Sequence, residues 1–127
     1  QAQNFLAIIK NLKNLARTDF PNIVNNIWND GEALKDVPYL DKTDFLLLLE
    51  EISILVNSNV LKLDIAVYLF GYWTKCCYSS QNFIRNNNNE IIIDFNDNYW
   101  VVFKDFAEKV YKYEKSNELF IARKITL

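Results

Sequence analysis

Apolar side chains recur every third or fourth residue along most of this chain, the spacing that gathers them on one side of an α-helix. Between Ala2 and Arg17 the apolar positions are Phe5, Ile8, Ile9, Leu12, Leu15 and Ala16, while Gln3, Asn4, Lys10, Asn11 and Lys13 fall on the other side. This predicts an amphipathic first helix with one buried stripe. Thr18 and Asp19 are capping types, Pro21 suits a first turn and Gly31 suits a C-terminal position. A short second helix is expected between them, with Phe20, Ile23, Val24, Ile27 and Trp28 available for burial. Glu32 to Leu40 contains Pro38 and keeps no helical period beyond one turn. A surface loop is expected there, with Val37, Tyr39 and Leu40 tucked against the core.

The densest run of large side chains lies between Asp44 and Arg85. Asp41 or Thr43 is expected to cap a third helix whose centre, Phe45 to Leu49, is apolar on all sides and so should be surrounded by others. Asn57-Ser58-Asn59 breaks that pattern. A fourth helix, the longest, should begin near Lys62 to Asp64. Its stripe reads Ile65, Leu69, Trp73, Cys76 or Cys77, Ser80 and Ile84, with Tyr68, Tyr72 and Tyr78 nearer the borders. Gly71 falls mid-helix, where glycine costs roughly 1 kcal/mol against alanine, and close approach of a neighbouring helix is the expected reason. After a polar loop at Asn86 to Asn89, the β-branched run Glu90 to Phe95 reads as a short strand or an apolar plug. Asp97 or Asn98 should cap a last helix with Tyr99, Phe103, Phe106, Val110 and Tyr113 on one face and Trp100 and Ala107 beside it. Lys109, Lys112 and Lys115 crowd its last turns, favourably against the negative helix end. The tail Leu119 to Leu127 alternates weakly and is a candidate to pair with 90–95.

The fold class that follows is all-α. One domain spanning 1–127 is expected, a bundle of about five helices with the third and fourth as a central antiparallel hairpin. Half of the residues are hydrophobic, with only two Gly and two Pro, which suits helices better than a turn-rich β protein.

Charge and chemistry narrow the functions. The formal net charge is −2 and the basic residues are scattered, so no basic footprint for nucleic acid is present. Histidine is absent, which removes the commonest general base and metal ligand together with every Ser-His or Cys-His arrangement. Cys76 and Cys77 are adjacent on a predicted helix and point about 100° apart, so they read as free thiols rather than a disulfide or a metal pair. Free thiols fit a reducing, cytoplasmic setting. Gly31 and Gly71 are the only glycines, which excludes a glycine-rich phosphate loop. No cofactor or metal is expected. No apolar run reaches membrane-spanning length, because Glu50, Glu51, Lys62 and Asp64 interrupt the best candidates. The chain begins at Gln1 and contains no methionine, so an excised domain is expected, with room for a membrane anchor upstream.

Glu50 and Glu51 are the remaining candidates for acid–base chemistry. On a helix they diverge, so at most one faces inward. A structural ion pair or hydrogen bond, with Arg85, Tyr72 or Trp73 as partner, is the leading reading; catalysis is the lesser one.

The run FLLLLEEISILVNSNVLKLDIAVYLFGYWTKCCYSSQNFI, about the middle third, resembles a bacterial family of uncharacterised helical domains. Its matching positions are Glu50 or Glu51, Ile52, Leu55, Val56, Asp64, Tyr68, Phe70, Gly71 and Trp73, and Asn59 replaces the usual turn glycine. The resemblance implies a bacterial or phage setting, an all-helical bundle and a removed N-terminal anchor, since such domains often follow a transmembrane helix. It implies no activity.

The expected function is therefore a non-enzymatic interaction or regulatory domain. Its partner is a protein or a second copy, it takes no nucleic acid, and it meets a membrane only through a missing N-terminal segment. Tyr68, Tyr72 and Tyr78 are the expected contact surface, because tyrosine is enriched at interfaces. The alternative is a small ligand-binding bundle or enzyme using an inward Glu50 or Glu51, which requires that carboxylate in an apolar cavity with a raised pKa.

Overall fold

The computed structural model describes residues 21–117. The predicted helix Ala2–Arg17, the capping residues Thr18 and Asp19, Phe20 and the tail Leu119–Leu127 lie outside the described residues. Within them the chain is all-α. Its helices are α1 (Pro21–Asn26), α2 (Tyr39–Asn57), α3 (Leu63–Ser79) and α4 (Val101–Ser116), with 3-10 turns at Glu32–Asp36 and Asn98–Trp100. No helix among the described residues is long and apolar enough to cross a membrane.

Helix α2 starts directly after Pro38, ahead of the Asp41 or Thr43 cap expected from the sequence. Proline needs no N–H at a helix start, so its extended backbone (φ −56°, ψ 145°) delivers the chain into the first turn without a side-chain cap. Val37 is buried as expected, whereas Tyr39 and Leu40 stand exposed on that first turn. Phe45, Leu46, Leu48, Leu49 and Ile52 are buried, so among the described residues α2 is enclosed around most of its circumference. At its end Asn59 takes the left-handed position (φ 61°), with the Val60 N–H reaching the Leu55 carbonyl at 2.9 Å. Asparagine tolerates that conformation, so it substitutes for the glycine that usually stops a helix there.

Helix α3 buries Ala66, Val67, Phe70, Gly71, Thr74 and Cys77. The expected stripe of Ile65, Leu69 and Trp73 is therefore rotated by one position: Ile65 is exposed, and Leu69 and Trp73 are half-buried. The reason is the proximity of α4. A Cβ at Gly71 would lie 3.2 Å from Val110 Cγ1, so the glycine lets α4 approach closely at this point. The helix also ends at Ser79 instead of running on to Ile84. The Ser80 hydroxyl accepts the Phe83 N–H at 2.9 Å and turns the chain.

The run Glu90–Phe95 is a plug rather than a strand. Arg85 and Ile91 form an isolated antiparallel bridge, Ile92 and Ile93 both donate to the Ile84 carbonyl, and Ile93 is buried. Asp97 then accepts the Tyr99 N–H at 2.9 Å and opens the turn into α4. Trp100, Phe103, Phe106, Ala107 and Val110 form the buried face of this last stretch, while Tyr99, expected on it, is exposed. Trp28 is exposed too, its indole N–H donating to the Asn25 carbonyl. The core is one contiguous cluster, with Phe70, Phe83, Phe103 and Phe106 fully buried at its centre.

Candidate functional site

Of the two adjacent glutamates, Glu50 faces inward and Glu51 is exposed. Glu50 Oε2 accepts the Phe103 backbone N–H at 3.0 Å. That N–H is in the first turn of α4, where helix geometry leaves donors without an internal partner. A negative group there also meets the positive end of the helix dipole. The partner is thus the backbone of another helix, not Arg85, Tyr72 or Trp73. Burial raises the Glu50 carboxyl above its ordinary value, and the Phe103 N–H works against that rise.

Lys42, which the sequence reading passed over, is fully buried. Its Nζ donates to the Arg85 carbonyl at 2.7 Å and lies 5.8 Å from the centre of the Phe83 ring. Burial lowers its pKa to about 8, with the charge of Asp36 opposing that drop. The sequence held a signal for this position. Lys42 precedes Phe45, Leu46 and Leu49 at the three-, four- and seven-residue spacing of the apolar face of α2.

Asp30 holds a third junction. Its carboxylate accepts the Ser80 hydroxyl at 2.5 Å and the backbone N–H groups of Gln81 and Asn82 at 3.1 and 3.0 Å. Its carbonyl accepts the Asn82 side-chain amide at 2.6 Å. Burial works against the charge, yet the bonds from Ser80, Asn82 and Gln81, with the nearby Arg85, hold the carboxyl below its ordinary value. Asp30 takes a left-handed backbone (φ 50°), while Gly31, expected at the helix C-terminus, has φ −64°.

These three ionisable groups are engaged with backbone, and no three His, Cys, Asp or Glu side chains among the described residues gather as a metal site would require. Burial raises both thiols, Cys77 strongly and Cys76 less, which keeps them protonated and weakly reactive.

The tyrosines divide. Tyr68 is 87% exposed and Tyr72 is 52% exposed, one helical turn apart on α3, with exposed Ile65 beside them. Tyr72 stacks edge-on against Trp73, the ring centres 5.3 Å apart. Tyr78 instead turns inward: its ring packs at 5.6, 6.2 and 6.3 Å from those of Phe95, Phe103 and Tyr111. The structure therefore brings two of the three expected contact residues together on one surface and leaves the third half-buried against Phe95, Phe103 and Tyr111. Below them, Lys75 Nζ pairs with Glu114 Oε2 at 2.6 Å and ties α3 to α4. Comparison of the chain with protein-family models, with curated proteins and with solved structures finds no match in any of the three.

Proposed function

We propose that this chain is a non-enzymatic interaction domain that docks a protein partner through the outer face of α3, formed by Ile65, Tyr68 and Tyr72. The observation that carries this reading is the 87% exposure of Tyr68, with Tyr72 one turn away on the same face. Tyrosine offers a large amphipathic surface at low cost in conformational entropy, which is why it is enriched at interfaces. The engagement of Glu50 with the Phe103 N–H supports a structural role for that carboxylate over a catalytic one. The finer architecture belongs to the same reading: about five helices in all, with α2 and α3 as an antiparallel hairpin presenting this face. A cytoplasmic setting is supported by the two free cysteines. A bacterial or phage origin, with a membrane anchor upstream, rests on the family resemblance alone.

A photo-crosslinking amino acid at position 68, with one at exposed Glu108 on α4 as control, tests the docking face in the producing cell. Position 68 should yield a discrete crosslinked species, a partner protein or a second copy, that position 108 does not. Crosslinking at 68 no stronger than at 108 would overturn the proposal.

A further inference from the structure

Asp30–Gly31 is the only Asp-Gly or Asn-Gly pair in the chain. Such a pair carries both of its own reactants, since glycine has no Cβ to hinder attack by its nitrogen on the preceding side chain. A bond forms between Gly31 N and Asp30 Cγ, the carboxyl C–OH bond breaks, and the hydroxyl leaves as water with the amide proton. Water then reopens the cyclic imide at either carbonyl. Opening at the α-carbonyl leaves isoaspartate, in which the main chain runs through Cγ and the carboxylate sits on Cα. The water released in the first step is taken up in the second, so no other reagent is needed.

The fold engages both reactants in their unreactive forms. Ring closure requires a protonated carboxyl, which can lose hydroxyl, and a Gly31 nitrogen free to give up its proton. The Asp30 carboxylate instead accepts from the Ser80 hydroxyl and the Gln81 and Asn82 N–H groups, which favour its ionised state. The Gly31 N–H donates to the Asn26 carbonyl at 2.9 Å, which retains the amide proton.

The product cannot remake the junction. Docking takes a carboxylate for the Ser80, Gln81 and Asn82 donors and, from the same residue, a main-chain carbonyl for the Asn82 amide. Isomerisation exchanges those two groups and lengthens the main chain by a carbon. We infer that Asp30–Gly31 is a latent modification site, held shut by residues 80–82 and open to spontaneous isoaspartate formation once that junction releases. The mark then makes the release permanent. Being internal, the reaction stands independently of the tyrosine face.

Peptide mapping by mass spectrometry, with isoaspartate resolved by chromatography, follows the full chain during incubation at neutral pH. A synthetic peptide of residues 26–36 gives the unrestrained rate. The folded chain should isomerise at least about tenfold more slowly than the peptide, because the bonds on both reactants must open first. The same chain unfolded in urea should approach the peptide. Ser80→Ala with Asn82→Ala should raise the folded rate while circular dichroism stays helical. The isoaspartate form, once separated, should unfold at lower urea than the parent chain. A folded chain as fast as the peptide would overturn the inference. So would a helical double variant that keeps the wild-type rate, or an isoaspartate form as stable as its parent. Should the double variant unfold, folded against urea-unfolded wild type decides alone: equal rates sink the inference.

Discussion

The Glu50 carboxylate and the Phe103 backbone N–H, 53 residues apart in sequence, meet at 3.0 Å inside the bundle. A side chain of α2 thereby satisfies the start of α4, a task usually done by a residue of the helix's own cap. The cost is a carboxylate carried into a poorly solvated place.

Glu50→Gln separates the two effects. The amide keeps an accepting oxygen for Phe103 and removes the ionisation, so the variant should match or exceed the wild type at neutral pH. Glu50→Ala leaves the N–H unpaired and a void behind it, and should lose about 2–3 kcal/mol in urea unfolding. A folded pKa above the unfolded one favours the protonated form. Its contribution is complete below the unfolded value and is lost as pH rises through the folded one. The wild type should therefore fall relative to Glu50→Gln as pH rises above the ordinary carboxylate range; a gap constant with pH would contradict the buried carboxylate.

Lys42 behaves in the opposite sense on the basic side. Its pKa falls from 10.5 unfolded to about 8 folded, so between these values the unfolded chain binds the extra proton. Stability should accordingly rise with pH across that window, by up to about 3 kcal/mol. Lys42→Met removes the charge and loses the bond to the Arg85 carbonyl, the contact over the Phe83 ring and the attraction of Asp36. Its stability should lie close to the wild type at pH 7 and show no such rise. Chemical denaturation of both proteins from pH 7 to pH 10 measures the difference.

Asp30 is held by four hydrogen bonds to residues 80–82 through its carboxylate and carbonyl. Asp30→Gly relieves the left-handed backbone and still should destabilise by about 2 kcal/mol, because Gln81 and Asn82 lose their acceptor. Its lowered pKa means that this stabilisation is present above the unfolded value and is lost as pH falls through the folded one. The gap between wild type and Asp30→Gly should close in acid. Thermal unfolding at pH 2 and pH 6 reads this directly.

The α3–α4 seam is set by size. A Cβ at Gly71 would sit 3.2 Å from Val110 Cγ1 and 3.3 Å from Val67 Cγ1. Gly71→Ala gains helix propensity and loses fit, for a net change within about 1 kcal/mol. Gly71→Ile should cost about 3 kcal/mol, and Val110→Ala in the same chain should restore part of it. A Gly71→Ile protein as stable as the wild type would mean that the two helices are free to separate.

Much of this bundle could be read from its residues. The all-helical class, the positions of α2, α3 and α4, and the close approach at Gly71 follow from apolar spacing and from the scarcity of breakers. The facing of α3 did not follow, because periodicity favours the bulkiest side chains. Instead Ala66, Phe70, Gly71 and Thr74 are buried, with Gly71 close to Val110 of α4, and Ile65 stands exposed. Tyr78 keeps the border position expected of it and is half-buried, but the packing of Phe95 and Phe103 against its ring takes it out of the exposed tyrosine face. Lys42 was legible only as a position on the apolar face shared with Phe45, Leu46 and Leu49, while its partner, the Arg85 carbonyl, was not. Asp30 was missed because its partners at residues 80–82 are distant and no local pattern announces them.

Asp30, Lys42 and Glu50 all lie in the first half of the chain, and each is satisfied by the second: at residues 80–82, at Arg85 and at Phe103. When the chain is made from its N-terminus, these groups are synthesised long before anything exists to neutralise them. Until residues 80–85 and 103 are in place, the three groups lack the partners that hold them in the finished fold, and an unpartnered charge resists transfer into an apolar interior. Part of the stability of the first half therefore rests on contacts of long sequence separation, whose closure carries a loop-entropy cost.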